Sequence, residues 1–466
     1  MKGGHLQERQ NEWPKLHSNR ARNFSHLRAI VTRSFPERWW RVLRGRTDVG
    51  SSGAPSPASL WGPTLQQVAF FGNFDPSNFG NESTLRAMLD NFHRLQPNAR
   101  AICITTNPTA ITATYGIRAI GIERTLLHAW APRDRLVQSL RRIFNGVLSE
   151  PYQWIRAWST LRGVDMLVIP GTGLLTDAYG LRGWGPYGLF RWSVVAKIYG
   201  CKLIFLSVGA GPLNTAAGRC LARIILSLAD YRSYRDRSTK HYLKNIGVDV
   251  GADLVCPDPA FSLAKSDPHQ SQLRPQPRKI VGLGVMHYTG RFAGTGDTVH
   301  ANYLRSLVQF VLWLIERNYD VRLLSGDVGD DQVREELRRL LQQASPSYES
   351  GRIIDEPIRS VSDLLSQISA TDLVVATRFH NAVLSLLNEK PTISISFHHK
   401  CASLMNTLNM SKYCLDIDGL SGQALIEAFS DLEANETEIA SVIRRKTQQF
   451  REEMDRQYRA IFREQP

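Results

Sequence analysis

Val374–Lys400 reads VVATRFHNAVLSLLNEKPTISISFHHK. A short apolar run ends at Ala376, Thr377–His380 stand where a helix should begin, and a β-branched run follows from Thr392 to Phe397. Strand, helix and strand with no hairpin turn between them make a parallel crossover unit. The same texture extends both ways. C-terminal to it, Ser403–Leu408 reads as a helix. N-terminal to it come a strand at Ile280–Val285, a helix over Tyr303–Ile315, a strand at Val321–Ser325 and a helix near 331–343, and the apolar run itself reads as a strand at Leu373–Ala376. A first series begins near residue 66. Strands are predicted at Gln67–Phe71, Ala101–Thr105, Asp165–Ile169, Lys202–Val208 and Tyr231–Tyr234, with a helix carrying Leu85, Met88, Leu89 and Phe92 on one face and another over Ala217–Ala229. Between the two series, AKSDPHQSQLRPQPRK (264–279) has three prolines and no periodicity, which marks a boundary. The pattern predicts an α/β protein of two Rossmann-like domains facing each other across a cleft. Its parts are a basic segment over 1–63, domains over 64–265 and 280–430, a linker over 266–279, and a charged C-terminal helix over 431–466.

The chain has 466 residues, 42% hydrophobic and 21% charged, enough to bury a large core. No apolar run reaches the roughly 18 residues that span a bilayer, because the best candidate, Val194–Pro212, is broken by Lys197 and Lys202. Cysteines at 103, 201, 220, 256, 401 and 414 form no CxxC pair and no zinc-type spacing with histidine, so no metal is expected. With no export signal at the start, they predict a reducing, cytoplasmic setting. Half of the net charge of +14 falls in residues 1–60. There, Leu27, Ile30, Trp39 and Trp40 interleave with Arg28, Arg33, Arg38 and Arg41, a mixture suited to peripheral contact with an anionic membrane. A disordered basic tail is the plainer reading. No recognition helix, RNP motif or zinc finger accompanies the charge, so nucleic acid is not an expected partner.

In open α/β sheets ligands bind beyond the carboxyl ends of the strands. Four turns stand there: Gly72–Gly80, Gly171–Asp177, Gly209–Pro212 and Arg378–His380. None carries the dinucleotide or P-loop glycine pattern, and any one of them could simply close its strand. Arg378 and His380 at a helix start add a guanidinium fork and an imidazole to unpaired N–H groups, equipment for a phosphate or carboxylate. A helix cap with an exposed histidine is the bland alternative. Arg235 occupies an equivalent strand end, with Ser238 as the expected helix cap; it suits an anion or a structural pair with Asp236. Asp258 sits between two prolines in CPDPAF, a stiff loop that fixes a carboxylate or merely connects domains. Lys400, after His398 and His399, reaches the same anion or lies in a solvated turn.

Taken in order, these stretches resemble the polysaccharide pyruvyl transferase family over roughly residues 66–415. GNFDPSNFGNESTL is similar to its opening glycine/asparagine turn, PGTGLLTD to its G-G-G-x-L-x-D element and SVGAGPL to its G-x-G-x-G-P turn. YRDRSTKHYLKNIGV, PDPAF and TRFHNAVLSLLNEKPTISISFHHKCASLMNTLNM follow in the family's order, with Phe397 where the family often has tyrosine. The resemblance implies a GT-B-like fold and transfer of pyruvyl from phosphoenolpyruvate to a sugar of a polysaccharide or its precursor, as a ketal, with no further cofactor. It implies that Arg235, Arg378, His380 and Lys400, with the Gly209 and Gly211 turn, hold the donor. His380 would be the general acid, and Asp258 or Asp75 the base. Asn73, Asp75, Asn78, Gly171 and Asp177 would meet the acceptor, free or lipid-linked. The rival reading is a nucleotide-sugar-dependent glycosyltransferase of the same two-domain type, with Arg378 on a diphosphate.

Overall fold

The computed structural model describes residues 65–123, 149–178, 180, 181, 185–265, 278–288, 290, 296–345 and 351–462. The basic segment over 1–63 and most of the 266–279 linker lie outside the described residues. Strands β1 (Gln67–Gly72), β2 (Arg100–Thr105), β3 (Arg118–Gly121), β4 (Met166–Pro170), β5 (Lys202–Val208), β6 (Tyr231–Tyr234) and β7 (Leu254–Val255) form one sheet in the order β3-β2-β1-β4-β5-β6-β7. A second sheet contains β8 (Ile280–Gly284), β9 (Asp320–Leu324), β10 (Ile353–Ile354), β11 (Leu373–Ala376), β12 (Thr392–Ser396) and β13 (Cys414–Asp416), in the order β10-β9-β8-β11-β12-β13. Every pairing is parallel.

Parallel strands covered on both faces bury their side chains on both sides, which is why β1 after Gln67 and β5 after Lys202 are buried throughout and read as largely apolar runs. Alternate residues nonetheless serve different layers. Ala69, Phe71, Leu203 and Phe205 pack on one face of the first sheet, and Val68, Phe70, Ile204 and Leu206 on the other. Chain order reverses between β1 and β4 in the first sheet and between β8 and β11 in the second, opening a crevice at each carboxyl edge.

The charged C-terminal helix expected over 431–466 spans Glu436–Phe462. The long helix Glu436–Phe462 brings Met454, Tyr458, Ile461 and Phe462 onto one stripe, and all four are buried against the first sheet. Gln457 on the same helix is buried too: its amide donates to Ser207 Oγ at 3.1 Å and accepts from Tyr231 Oη at 3.0 Å and from Ser233 Oγ. The last helix therefore lies against both sheets, with Ile439, Ile443 and Phe450 in the core of the second and Met454, Tyr458, Ile461 and Phe462 in that of the first. The helix expected at Ser403–Leu408 spans His399–Thr407, because the His398 side chain caps it by accepting from Lys400 N.

Candidate active site

The carboxyl ends of the two sheets meet directly. After β1, Asn78 caps helix α1 (Phe79–Leu95): its Oδ1 accepts from Asn81 N at 3.0 Å while its Nδ2 donates to Asp327 Oδ2 at 2.9 Å, in the loop after β9. Phe79 N donates to Gly326 O, and Val328 N to Ser77 O. Asn78, expected at the acceptor, is thus spent on a cap and a clip between the sheets.

Arg235 follows β6, and Gly209 leaves it room, since a Cβ there would lie 2.6 Å from Arg235 Nη2. That close approach, rather than an anion-facing amide, is what the structure shows for Gly209, and Gly211 lies against the Tyr242 ring. Asp236, not Ser238, caps the next helix by accepting from Thr239 N at 2.6 Å. The Arg235 guanidinium turns toward the second sheet: Nη1 is 3.6 Å from Asp258 Oδ2, and Cζ is 4.8 Å from the centre of the Phe379 ring. Asp258 Oδ1 caps the 3-10 turn Pro259–Ser262 by accepting from Ala260 N at 3.1 Å. Its other oxygen lies 3.8 Å from His380 Nε2.

Helix α2 (Phe379–Leu387) follows β11 and carries His380 in its first turn. The imidazole sits against α1, where a Cβ on Gly80 would be 2.0 Å from His380 Nδ1. Nε2 is buried with no hydrogen-bond partner among the described residues. Burial above all holds the His380 pKa down, at about 4, with Asp258 opposing and Lys400, Arg235 and Arg378 adding to the depression. The imidazole is neutral at pH 7.

Arg378 points to a carboxylate of its own. Nε and Nη2 bond Asp330 Oδ2 and Oδ1 at 2.9 and 2.6 Å, and the fully buried Asp330 also accepts from Gly326 N and His287 N. This is a bidentate pair, not the free fork the sequence suggests, although the side chain stays 26% exposed. Lys400 is the opposite case. Its ammonium lies 5.2 Å from the ring centres of both Phe379 and Phe397 and has no ion-pair partner among the described residues. Burial, then the Arg235 charge, push its pKa down to about 8.

Arg235, Asp258, Phe379, His380 and Lys400 therefore converge in one cluster, with Arg378 close enough to perturb two of them. Lys400 has no carboxylate of its own among the described residues and is repelled by Arg235 and Arg378, and a bound anion relieves that repulsion. Anion binding favours the charged form of Lys400, so affinity is full below about pH 8 and falls as pH rises through it. Sulfate, which does not titrate there, is expected to weaken by up to about tenfold per pH unit above that point when followed by calorimetry. An affinity flat to about pH 10 would remove Lys400 from the site.

The other expected acceptor residues divide. Asn73 Oδ1 accepts from Thr106 Oγ1 at 2.7 Å, and Asp75 Oδ1 accepts from Ser77 N at 3.0 Å; Asn73 Nδ2 and Asp75 Oδ2 stay without partners among the described residues. Asp177 is buried and structural: Oδ1 accepts from Asn214 N, and Oδ2 from Thr215 N and Thr215 Oγ1. These bonds hold its carboxyl below the usual range against the opposing effect of burial. Gly171 packs on the chain, where a Cβ would be 2.4 Å from Ser207 O. Phe379 and Asp330 were not singled out from sequence, and Gly80 only as the end of the first glycine turn. For Phe379 the signal was its position between Arg378 and His380.

A family model described as Polysaccharide pyruvyl transferase matches residues 78–399. The amylovoran biosynthesis protein AmsJ of Erwinia amylovora is 19% identical over 408 residues, covering 83% of this chain and 96% of AmsJ. Among solved structures, a glycosyltransferase from Rickettsia africae aligns with a TM-score of 0.54 at 12% identity, covering 86% of this chain and 100% of its own. HepE of Anabaena, solved with UDP, aligns with a TM-score of 0.53 at 11% identity, covering 85% of this chain and 97% of its own. At such identities the structural likeness speaks for the fold: two Rossmann-like domains of GT-B type.

Proposed function

The chain belongs to the polysaccharide pyruvyl transferase family and is an enzyme of the transferase class, and from that premise we propose that it moves pyruvyl from phosphoenolpyruvate onto two hydroxyls of a saccharide, as a ketal. The observation that supports this reading is the convergence of Arg235, His380 and Lys400 from separate strand ends, with no ion-pair partner for Lys400 among the described residues. A donor with a phosphate and a carboxylate on one carbon supplies the negative charge that Lys400 lacks.

In the proposed reaction, C3 of the enol gains a proton and becomes methyl while a sugar oxygen bonds C2. The C2–O bond to phosphate breaks, and the second sugar oxygen closes the ketal. Of the two hydroxyl protons, one balances the proton gained by C3 and the other leaves with inorganic phosphate. His380 is the proton donor. Burial and then the neighbouring cations hold its pKa down; a bound anion offsets the cations and joins Asp258 in favouring the imidazolium. Asp258, only 3% exposed, is set too deep to meet a sugar, so it serves as counter-charge. Asp75 keeps a free carboxylate oxygen in the loop leading to Gly80, and we assign it the hydroxyl proton. Arg235, Arg378 and Lys400 stabilise the departing phosphate, and no further cofactor is invoked.

The acceptor is a polysaccharide or its precursor, and a cytoplasmic donor places the reaction in the cytoplasm. Among the described residues no helix is long and apolar enough to cross a membrane; contact with a lipid-linked acceptor would be peripheral. Incubation with phosphoenolpyruvate and a panel of saccharides is expected to release phosphate and give the mass gain of a pyruvate ketal. Thermal stabilisation by uridine diphosphate instead, with sugar transfer from a nucleotide sugar, would replace this reading by the glycosyltransferase one.

A further inference from the structure

Phe379 stands between Arg378 and His380 and is 3% exposed. Three groups of the cluster meet its ring: Arg235 Cζ at 4.8 Å, Lys400 Nζ at 5.2 Å, and the His380 imidazole edge-on at 5.1 Å. The cations differ in how they are balanced. Arg378 has its bidentate carboxylate. Arg235 has only Asp258 and Asp236, at 3.6 and 3.8 Å, and its Nε is buried without a hydrogen bond. Lys400 has no ion-pair partner among the described residues. The two cations without a close counter-ion are the two that lie on this ring. A desolvated cation needs negative potential from somewhere, and an aromatic face supplies it. Arg235 comes from the first sheet and Lys400 from the second, so one ring touches cations across the boundary between the sheets.

We propose that Phe379 is a positioning residue: through cation–π contact it holds Arg235 and Lys400 at the anion site, so the site stands assembled before a ligand arrives. The proposal rests on reading the cluster as the donor's anion site. If the ring only fills space, an apolar side chain of similar bulk, or a ring of the same shape with its electrostatics reversed, serves equally well.

The test compares wild type with Phe379→Leu, Phe379→Tyr and pentafluorophenylalanine at position 379, each checked for an unchanged melting temperature. Sulfate binding is followed by calorimetry, and turnover is measured with phosphoenolpyruvate. Phe379→Leu and the fluorinated ring are expected to weaken sulfate binding by about tenfold and to raise KM for phosphoenolpyruvate alike. Their kcat is expected to fall as well, because the Arg235 and Lys400 that the ring positions also stabilise the departing phosphate. Phe379→Tyr keeps the ring face and is expected to restore these values. The fluorinated variant preserves shape, so it decides the matter even where Phe379→Leu unfolds. Wild-type sulfate affinity in that variant, or a loss confined to kcat, overturns the proposal. Wild type that binds sulfate with this pattern but never turns over phosphoenolpyruvate defeats the pyruvyl reading and leaves Phe379 its role. Wild type that binds neither defeats both.

Discussion

Arg378→Ala is expected to lower stability by about 3–5 kcal/mol as well as to abolish activity, and adding Asp330→Asn is expected to recover roughly half of the stability and none of the activity. Asp330 is fully buried and accepts from Gly326 N, His287 N and both donors of the Arg378 fork. Removing the guanidinium strands a buried carboxylate, which costs more than the pair contributes when intact. An asparagine removes the stranded charge and can still accept from one of the two backbone donors, so recovery is partial. Activity is expected not to return, because Arg378 has donors beyond the two that Asp330 uses, and these are the ones proposed to meet the departing phosphate. Loss of one such donor typically costs about 10²–10³ in rate. Urea unfolding reads the first effect and phosphate release the second. A double variant as active as wild type would confine Arg378 to holding Asp330. A single variant as stable as wild type would show the pair to be without structural weight.

Asp330 also shows where sequence reading stops. In GDVGDDQ it looks like one more acid at a helix start, and nothing local says that a guanidinium 48 positions later seeks it out. The strands with apolar runs were legible because parallel burial writes itself as uninterrupted β-branched and aromatic residues. The two- to four-residue edge strands β3, β7, β10 and β13 were not, since so few residues carry no period. The residues that converge in the cluster were legible for a different reason: Arg235, Arg378, His380 and Lys400 each follow a strand end, where this architecture puts ligands. The acceptor set fared worse. Asn78 and Asp177 have the atoms to read hydroxyls, but backbone N–H groups and the Asp327 carboxylate take up those atoms. Which polar atoms are already engaged is a property of the folded chain, not of residue type. The stripe of Met454, Tyr458, Ile461 and Phe462 was equally visible in sequence, yet helical period cannot say which sheet it will cover.

His380→Gln is expected to lower kcat/KM by about 10²–10⁴ while the fold survives. Glutamine can fill much of the imidazole volume but cannot shuttle a proton. In the free protein the imidazole is neutral, its pKa held near about 4 first by burial and then, against Asp258, by Lys400, Arg235 and Arg378. A bound dianion offsets those cations, so the pKa in the complex rises. The donor must be protonated, so kcat should fall as pH rises through that raised pKa, and the limb should vanish in His380→Gln. Asp258→Asn removes the one charge that favours the imidazolium and should move the limb to lower pH. Gly80→Ala separates position from chemistry. Helix propensity alone favours alanine by about 1 kcal/mol, but its Cβ would stand 2.0 Å from His380 Nδ1. The imidazole must shift, and a displacement of that size costs about 10² in rate even with the titrating group intact. A Gly80→Ala enzyme with wild-type kcat would mean that the placement of the imidazole does not set the rate, and the proton donor would then have to be sought elsewhere in the cluster.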